Sequence, residues 1–157
     1  MKNGLKRTAF FIRAYNDVDH FSPLIAEFIL NKENPVVVIN TDLEIDNDYR
    51  FKYLKTLGTF EIFQDPDDKY IKYSKGKGFL NKILKKLYLI RRNRNNIFGK
   101  IYRSLFFNCK DQIKFLRINN IGICAFEWST PFDRGELIEK YFFAAKGMGI
   151  TTIAIPH

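Results

Sequence analysis

Residues 8–39 of this chain decide its fold and read TAFFIRAYNDVDHFSPLIAEFILNKENPVVVI. The stretch opens with a short apolar run at 8–12 and closes with four consecutive β-branched residues at 36–39. β-Branched and aromatic residues favour extended backbone, and runs without polar alternation are typical of strands buried on both faces of a parallel sheet. Apolar residues between the two runs recur at helical spacing. We therefore predict a strand–helix–strand unit at the start of the chain.

Ser22 and Pro23 are predicted to begin the helix of this unit. Serine is a favoured N-cap residue, and proline is favoured at the first helical position because its missing N–H costs nothing there. The apolar series that follows is Leu24, Ile25, Phe28 and Ile29. The prediction is a helix over 23–32, with residues 15–20 forming a polar loop after the first strand.

The same patterns predict three more strands and two more helices. The strands fall at 59–63, 121–126 and 151–155, and the helices at about 46–57, capped by Asp46 and Asn47, and about 133–146. Apolar strands that alternate with helices indicate a parallel sheet covered on both faces, and right-handed crossovers favour the strand order 3-2-1-4-5. We predict an α/β fold over residues 1–157, a single Rossmann-like domain.

The positive charge of the chain is concentrated between the third and fourth predicted strands. The chain has 157 residues and a formal charge of +9, yet residues 69–110 contain 13 basic residues and no acidic one. We predict a basic helical insertion over about 65–120. One apolar face carries Phe79, Leu80, Ile83, Leu84, Leu87 and Tyr88, with Lys82, Lys85 and Lys86 on or beside the opposite face; a second series is Ile97, Ile101, Leu105 and Phe106, and the connection holds Arg91, Arg92 and Arg94.

Three interpretations of this insertion remain open. Its lysines and arginines bind the anionic surface of a membrane, bind a polyanionic acceptor or nucleic acid, or are merely solvated while the apolar face packs on the core. Nucleic acid is disfavoured because no helix-turn-helix, zinc finger or RNA-binding signature is present. Binding to anionic but not neutral vesicles would distinguish the first interpretation.

Several functional classes are disfavoured by what the sequence lacks. Cys109 and Cys124 have no metal-ligand spacing, and two thiols in a chain without a secretory signal indicate a cytoplasmic protein. No apolar run approaches the roughly 20 residues that span a bilayer, so we expect a soluble or peripheral protein. Without a Gly-x-Gly-x-x-Gly or Walker sequence, a dinucleotide or P-loop site is disfavoured. We expect no metal and no bound cofactor.

Polar residues follow the first and fourth predicted strands, where a ligand site is expected. In open parallel sheets, ligands bind beyond the carboxyl ends of the strands at the point where the strand order reverses, which here lies between strands 1 and 4. The first set is Asn16, Asp17, Asp19 and His20, and the second is Glu127, Trp128 and Ser129. Their convergence predicts a catalytic or binding crevice.

His20 is the candidate general base, because imidazole titrates near neutrality and either Asp17 or Asp19 could orient it. The alternative is that Asp19 and His20 only close the turn and cap the helix. Glu127 is interpreted as a second acid or acceptor ligand, or else as a solvated loop carboxylate. Trp128 either stacks on a sugar or base or packs in the core.

Two segments carry a resemblance to known enzymes: FIRAYNDVDHFSP at 11–23 and AAKGMGITTIAIPH at 144–157. They resemble segments of GT-B-type glycosyltransferases, CDP-glycerol glycerophosphotransferases and UDP-N-acetylglucosamine 2-epimerases, which act in bacterial surface-polysaccharide synthesis. The resemblance implies a base at His20. We also predict that Arg13 and Asn16 bind substrate. The resemblance also implies a nucleotide-activated donor held mainly by a second Rossmann half, which this sequence lacks.

The resemblance leads to a functional expectation with two alternatives. We expect the acceptor-side domain of a glycosyltransferase or glycerophosphotransferase, with a sugar or polyol-phosphate acceptor and a second chain or C-terminal domain that completes the site. The alternatives are half of a nucleotide-sugar epimerase and a non-catalytic module that binds anionic lipid or polyanion.

Overall fold

The computed structural model describes residues 6–40, 44–64, 78–79, 82–83, 109–127 and 137–155. They form an α/β fold around one five-stranded parallel sheet with the order β3-β2-β1-β4-β5. The strands are β1 (Arg7–Ile12), β2 (Val36–Ile39), β3 (Glu61–Gln64), β4 (Ile121–Glu127) and β5 (Thr151–Ile155). The helices are α1 (Tyr15–Leu30), α2 (Tyr49–Leu57), α3 (Lys110–Ile118) and α4 (Leu137–Gly147), and a 3-10 turn covers Ile45–Asn47. The predicted fold class and strand order are confirmed.

The alternation of side chains along β1 divides the core into two layers. Phe10 and Ile12 belong to the cluster that α1 and α2 cover, whereas Ala9 and Phe11 belong to the cluster that α3 and α4 cover. Because successive side chains of a strand point to opposite faces, a strand buried on both sides must be apolar throughout. That requirement explains the unbroken apolar run that marked β1 in the sequence.

The predicted start of the first helix is wrong. α1 begins at Tyr15, eight residues before the predicted position, with Ala14 as its N-cap. Ser22 does not cap it; its hydroxyl donates to the carbonyl oxygen of Val18, and Pro23 lies inside the helix. The residues expected in a loop, Asn16 to His20, are therefore helical. The Ser-Pro pair satisfies the local rule for a helix start, but an earlier start is stabilised by the contacts of Asp17 with Arg13 and of Asp19 with Arg50, which is distant in sequence.

Smaller corrections apply to other element boundaries. Asp48, and not Asp46 or Asn47, caps α2: its side chain accepts a hydrogen bond of 2.9 Å from the backbone N–H of Arg50. β3 starts two residues later than predicted, and β4 extends by one residue to include Glu127. β5 has the predicted bounds.

The described part of the basic insertion includes a helix that the sequence pattern did not single out. α3 lies within the predicted 65–120 segment, and its Leu116 is buried against the sheet and α4. Earlier in the insertion, Phe79, Lys82 and Ile83 are helical and exposed. The other predicted basic contacts (Lys85, Lys86, Arg91, Arg92 and Arg94) and most of the two predicted helices lie outside the described residues.

Candidate functional site

Arg13 connects the carboxyl ends of the two strands that flank the point of strand-order reversal. It directly follows β1, and its guanidinium donates a hydrogen bond to the carboxylate of Glu127 at the end of β4. The same guanidinium lies 3.4 Å, Nε to Oδ2, from Asp17 in the first turn of α1. The predicted convergence of residues after strands 1 and 4 is therefore present in the fold. We call Arg13, Asp17 and Glu127 the crevice cluster.

Asp17 is held by the backbone as well as by Arg13. Its Oδ2 accepts a hydrogen bond of 2.7 Å from the backbone N–H of Arg13, and its side chain is only 2% exposed. A carboxylate in the first helical turn interacts favourably with the helix dipole. It also accepts a hydrogen bond from a backbone N–H group at the helix start, which has no partner within the helix. The carboxylate of Asp17 therefore already occupies the N-terminus of α1, where an anionic ligand could otherwise bind.

Glu127 is buried, so its interpretation as a solvated loop carboxylate is wrong. It is the last residue of β4, and its side chain is 2% exposed. Along β4, Glu127 has the same parity as Ala125, which belongs to the cluster covered by α1, so its side chain projects toward the side of the sheet where Asp17 lies. A buried carboxylate requires a compensating charge, which Arg13 supplies.

His20 is the sixth residue of α1 and is half-buried. The two carboxylates proposed to orient it have described ion pairs with arginines: Asp17 with Arg13, and Asp19 with Arg50 at 2.5 Å. Asp19 and His20 both lie inside α1, so the alternative that these two residues close a turn and cap the helix is wrong. The role of His20 as a base and its orientation by an aspartate stay predictions.

A second cluster joins the starts of α1 and α2 at the same edge of the sheet. Arg50 is held between Asp48 and Asp19 by hydrogen bonds of 2.5 Å to each, and it also donates to the backbone carbonyl of Tyr15 at 3.2 Å. Its side chain is mostly buried. We call Asp19, Asp48 and Arg50 the helix-start cluster, because it fixes α2 against α1.

Ionisation within the helix-start cluster follows from these hydrogen bonds. The side-chain hydrogen bond from Arg50 lowers the pKa of Asp48 below its usual value, against the opposing effect of burial. The hydrogen bond with Asp48, followed by that with Asp19, raises the pKa of Arg50. Both groups therefore stay charged at neutral pH.

The lowered pKa of Asp48 predicts a specific dependence of stability on pH. A carboxyl group whose pKa is lower in the folded state stabilises the fold above its unfolded pKa, and this contribution is lost as pH falls through the folded value. We expect Asp48→Asn, which retains N-capping ability, to lower the free energy of unfolding by about 1 kcal/mol at pH 7 and to do so much less at acidic pH, below the usual pKa of Asp. Urea unfolding across pH measures this. Asp46→Asn, on an almost fully exposed side chain, is the control and should change little; equal effects of the two variants would contradict the prediction.

The charge of the two clusters determines what they can bind. Together they contain two guanidiniums and four carboxylates, a net charge of −2 at neutral pH. Each guanidinium is paired with two carboxylates, so neither offers the bidentate geometry that a phosphate group needs. Carboxylate oxygens accept hydrogen bonds from hydroxyl groups, and Asp19, whose side chain is 59% exposed, is the carboxylate of the two clusters that a ligand can reach. The arrangement therefore suits a hydroxyl-rich ligand better than a nucleoside diphosphate.

The remaining predicted substrate-binding residues are Asn16 and Trp128. Asn16 is exposed in the first turn of α1, while Trp128 lies outside the described residues. Sequence reasoning missed the second cluster. Its signal was present, since Asp48 is a cap-forming residue directly before a helix that follows a buried strand, and such a helix starts at the carboxyl edge of a parallel sheet.

The described residues contain neither a metal-binding group of side chains nor a helix that could span a membrane. Within them, no group of three or more His, Cys, Asp or Glu side chains is arranged to hold a metal ion. None of the helices in the same part of the chain combines the length and apolar character needed to cross a membrane. Burial raises the pKa of the Cys124 thiol to about 12, so this cysteine is protonated in the core and is not a nucleophile.

No protein-family model matches the chain, and no curated protein sequence matches it either.

Proposed function

We propose that this protein is the acceptor-side domain of a bacterial surface-polysaccharide glycosyltransferase or glycerophosphotransferase that uses a nucleotide-activated donor. In this proposal a hydroxyl group of the acceptor attacks the anomeric carbon or the phosphorus atom of the donor. His20 takes the hydroxyl proton, the bond from that atom to the nucleotide breaks, and the nucleotide phosphate leaves with the bonding electron pair. General bases in such positions commonly accelerate proton transfer by about 10²–10⁴-fold.

The observation that carries the proposal is the crevice cluster at the reversal point of the sheet. Two buried carboxylates and one guanidinium meet there, at the place where open parallel sheets bind ligands. An excess of carboxylate favours hydroxyl donors and opposes phosphates, which fits the acceptor rather than the donor. The resemblance of residues 11–23 to surface-polysaccharide enzymes supports the choice of reaction class.

The partners follow from the same charge argument. The nucleotide phosphates would be bound by a second Rossmann half, supplied by a further domain or another chain. We place the protein in the cytoplasm, at the inner face of the membrane, where a lipid-linked acceptor would be elongated. The exposed Phe79 and Ile83 beside Lys82 support contact with an anionic bilayer surface. Binding to neutral and anionic vesicles alike, or to neither, would contradict this location.

An experiment on ligand partition tests the acceptor-side assignment. The chain is titrated with CDP-glycerol and UDP-N-acetylglucosamine as donors, and with glycerol and neutral oligosaccharides as acceptor probes, while the backbone NMR signals of Arg13, Asp17 and Glu127 are followed. We expect the acceptor probes to perturb these signals and the donors to leave them unchanged. Saturable donor binding at the crevice cluster, with no response to the acceptor probes, would contradict the proposal.

A further inference from the structure

Two exposed tyrosines flank Arg50 at the carboxyl edge of the sheet. Tyr15 opens α1 and Tyr49 opens α2, and their side chains are 52% and 74% exposed. The Arg50 guanidinium carbon lies 5.9 Å from the ring centroid of Tyr15 and 5.5 Å from that of Tyr49. We call these two rings with Arg50 and Asp19 the tyrosine patch.

The tyrosine patch is fixed in place by the helix-start cluster. Arg50 is held by Asp48, by Asp19 and by the backbone carbonyl of Tyr15, so the two helix starts cannot move independently. A tyrosine side chain has few rotatable bonds, and a rigid aromatic surface binds a ligand with a small loss of conformational entropy. Tyrosine is enriched at binding interfaces because its ring is apolar and its hydroxyl group is polar.

The charges of the patch discriminate among ligand classes. A phosphate or carboxylate ligand would be repelled by the carboxylates of Asp19 and Asp48, which already neutralise the charge of Arg50. A quaternary ammonium ligand would approach ring faces beside which Arg50 already lies, and would meet a like charge there. A neutral sugar meets neither obstacle: its C–H groups can stack on the rings, and its hydroxyl groups can donate to Asp19, whose side chain is 59% exposed.

The geometry points to a binding site for a neutral sugar ring on the tyrosine patch, formed by Tyr15 and Tyr49 with Asp19 as hydrogen-bond acceptor. The inference rests on the proposed function for the identity of the sugar as part of the acceptor. Asp19 directly precedes His20 in α1, so the patch lies within one helical turn of the proposed base. Sugar binding itself requires no turnover, so the two proposals can fail separately.

Titration of the full chain with maltotetraose, cellotetraose and chitotetraose tests the site. We expect at least one of these neutral probes to shift the ring signals of both tyrosines in NMR spectra. Each aromatic contact of this kind contributes about a twofold to tenfold change in affinity, so Tyr15→Ala with Tyr49→Ala should weaken binding roughly tenfold or more. The corresponding double replacement by phenylalanine retains the stacking surface and should bind within about threefold of the unmodified chain.

A control variant and a test of folding accompany the sugar titration. Leu30→Ala removes an exposed apolar side chain at the opposite end of α1 and should leave binding unchanged. Circular dichroism and thermal unfolding verify that each variant is folded. If the alanine pair does not fold, the single replacements Tyr15→Ala and Tyr49→Ala are compared with the phenylalanine pair, and each should weaken binding about twofold to tenfold. The inference is overturned if no neutral probe shifts the tyrosine signals, if the alanine pair binds as well as the unmodified chain, or if only tetramethylammonium or a hyaluronan tetrasaccharide binds there. A His20 variant that loses turnover but still binds sugar would support the sugar site independently of the proposed reaction.

Discussion

Replacing Arg13 by alanine is expected to lower the free energy of unfolding by about 3–5 kcal/mol, the usual cost of removing one partner from a buried ion pair. The reason is the burial of its partners: the Asp17 and Glu127 side chains are each 2% exposed, and the variant loses the guanidinium that neutralises both. For a domain of this size the loss corresponds to a decrease in Tm of about 10 °C. Urea and thermal unfolding followed by circular dichroism measure it.

The chain contains a matched control at the other end of the same strand. Arg7 has the same side-chain exposure as Arg13, 19%, but its ion-pair partner Glu61 is 44% exposed. Arg7→Ala should therefore cost about 0–1 kcal/mol, as exposed pairs do. Adding Glu127→Gln to Arg13→Ala should recover part of the lost stability, because a neutral amide is less costly to bury than a charge. Equal losses in the Arg7 and Arg13 variants would show that the burial of the carboxylates does not determine the stability of the cluster.

Replacing His20 by alanine is expected to reduce turnover about 10²–10⁴-fold in the assembled enzyme, supplied with a nucleotide-activated donor and an acceptor. If His20 accepts the proton of the attacking hydroxyl, its loss acts on kcat more than on KM, because proton transfer belongs to the transition state rather than to ground-state binding. Steady-state kinetics of the variant and of the unmodified enzyme separate the change in kcat from the change in KM.

Glu27→Ala provides the control for this measurement. Glu27 lies seven residues after His20 in α1, on nearly the same helical face but about 10 Å further from the carboxyl edge of the sheet. Its replacement should leave turnover within about twofold, as is usual for an exposed side chain away from a site. Unchanged turnover in the His20 variant would remove this residue as the base, although the acceptor-side assignment, which rests on the crevice cluster, could still be tested by ligand partition.

The sheet was predictable from the sequence because each strand carries its own signal. Residues 36–39 are all β-branched and residues 8–12 nearly all apolar, and burial on both faces of a parallel sheet requires that composition. The handedness of strand connections then leaves the order 3-2-1-4-5 as the natural arrangement. Position after a strand also sufficed to bring Asp17 and Glu127 to one crevice, because carboxyl ends of neighbouring parallel strands share an edge.

The start of α1 was not predictable in this way, because local and tertiary preferences differ there. Ser22 and Pro23 form a favourable helix start by themselves, yet α1 begins at Tyr15. Asp17 binds Arg13 after β1, and Asp19 binds Arg50 from another helix, 31 residues away in sequence. The contact of Asp17 with Arg13 is local and could have been considered from the sequence, whereas no local pattern includes the contact of Asp19 with Arg50.

By itself, then, the amino-acid sequence determined the layers, the strand order and the edge at which polar side chains would gather, since these depend on apolar periodicity and chain connectivity. Only the tertiary structure decided which charges pair: Arg13 with Asp17 and Glu127, and Arg50 with Asp19 and Asp48. The reason is that an ion pair depends on distances of a few ångströms between residues that can be far apart along the chain, whereas burial of a strand depends on its own composition.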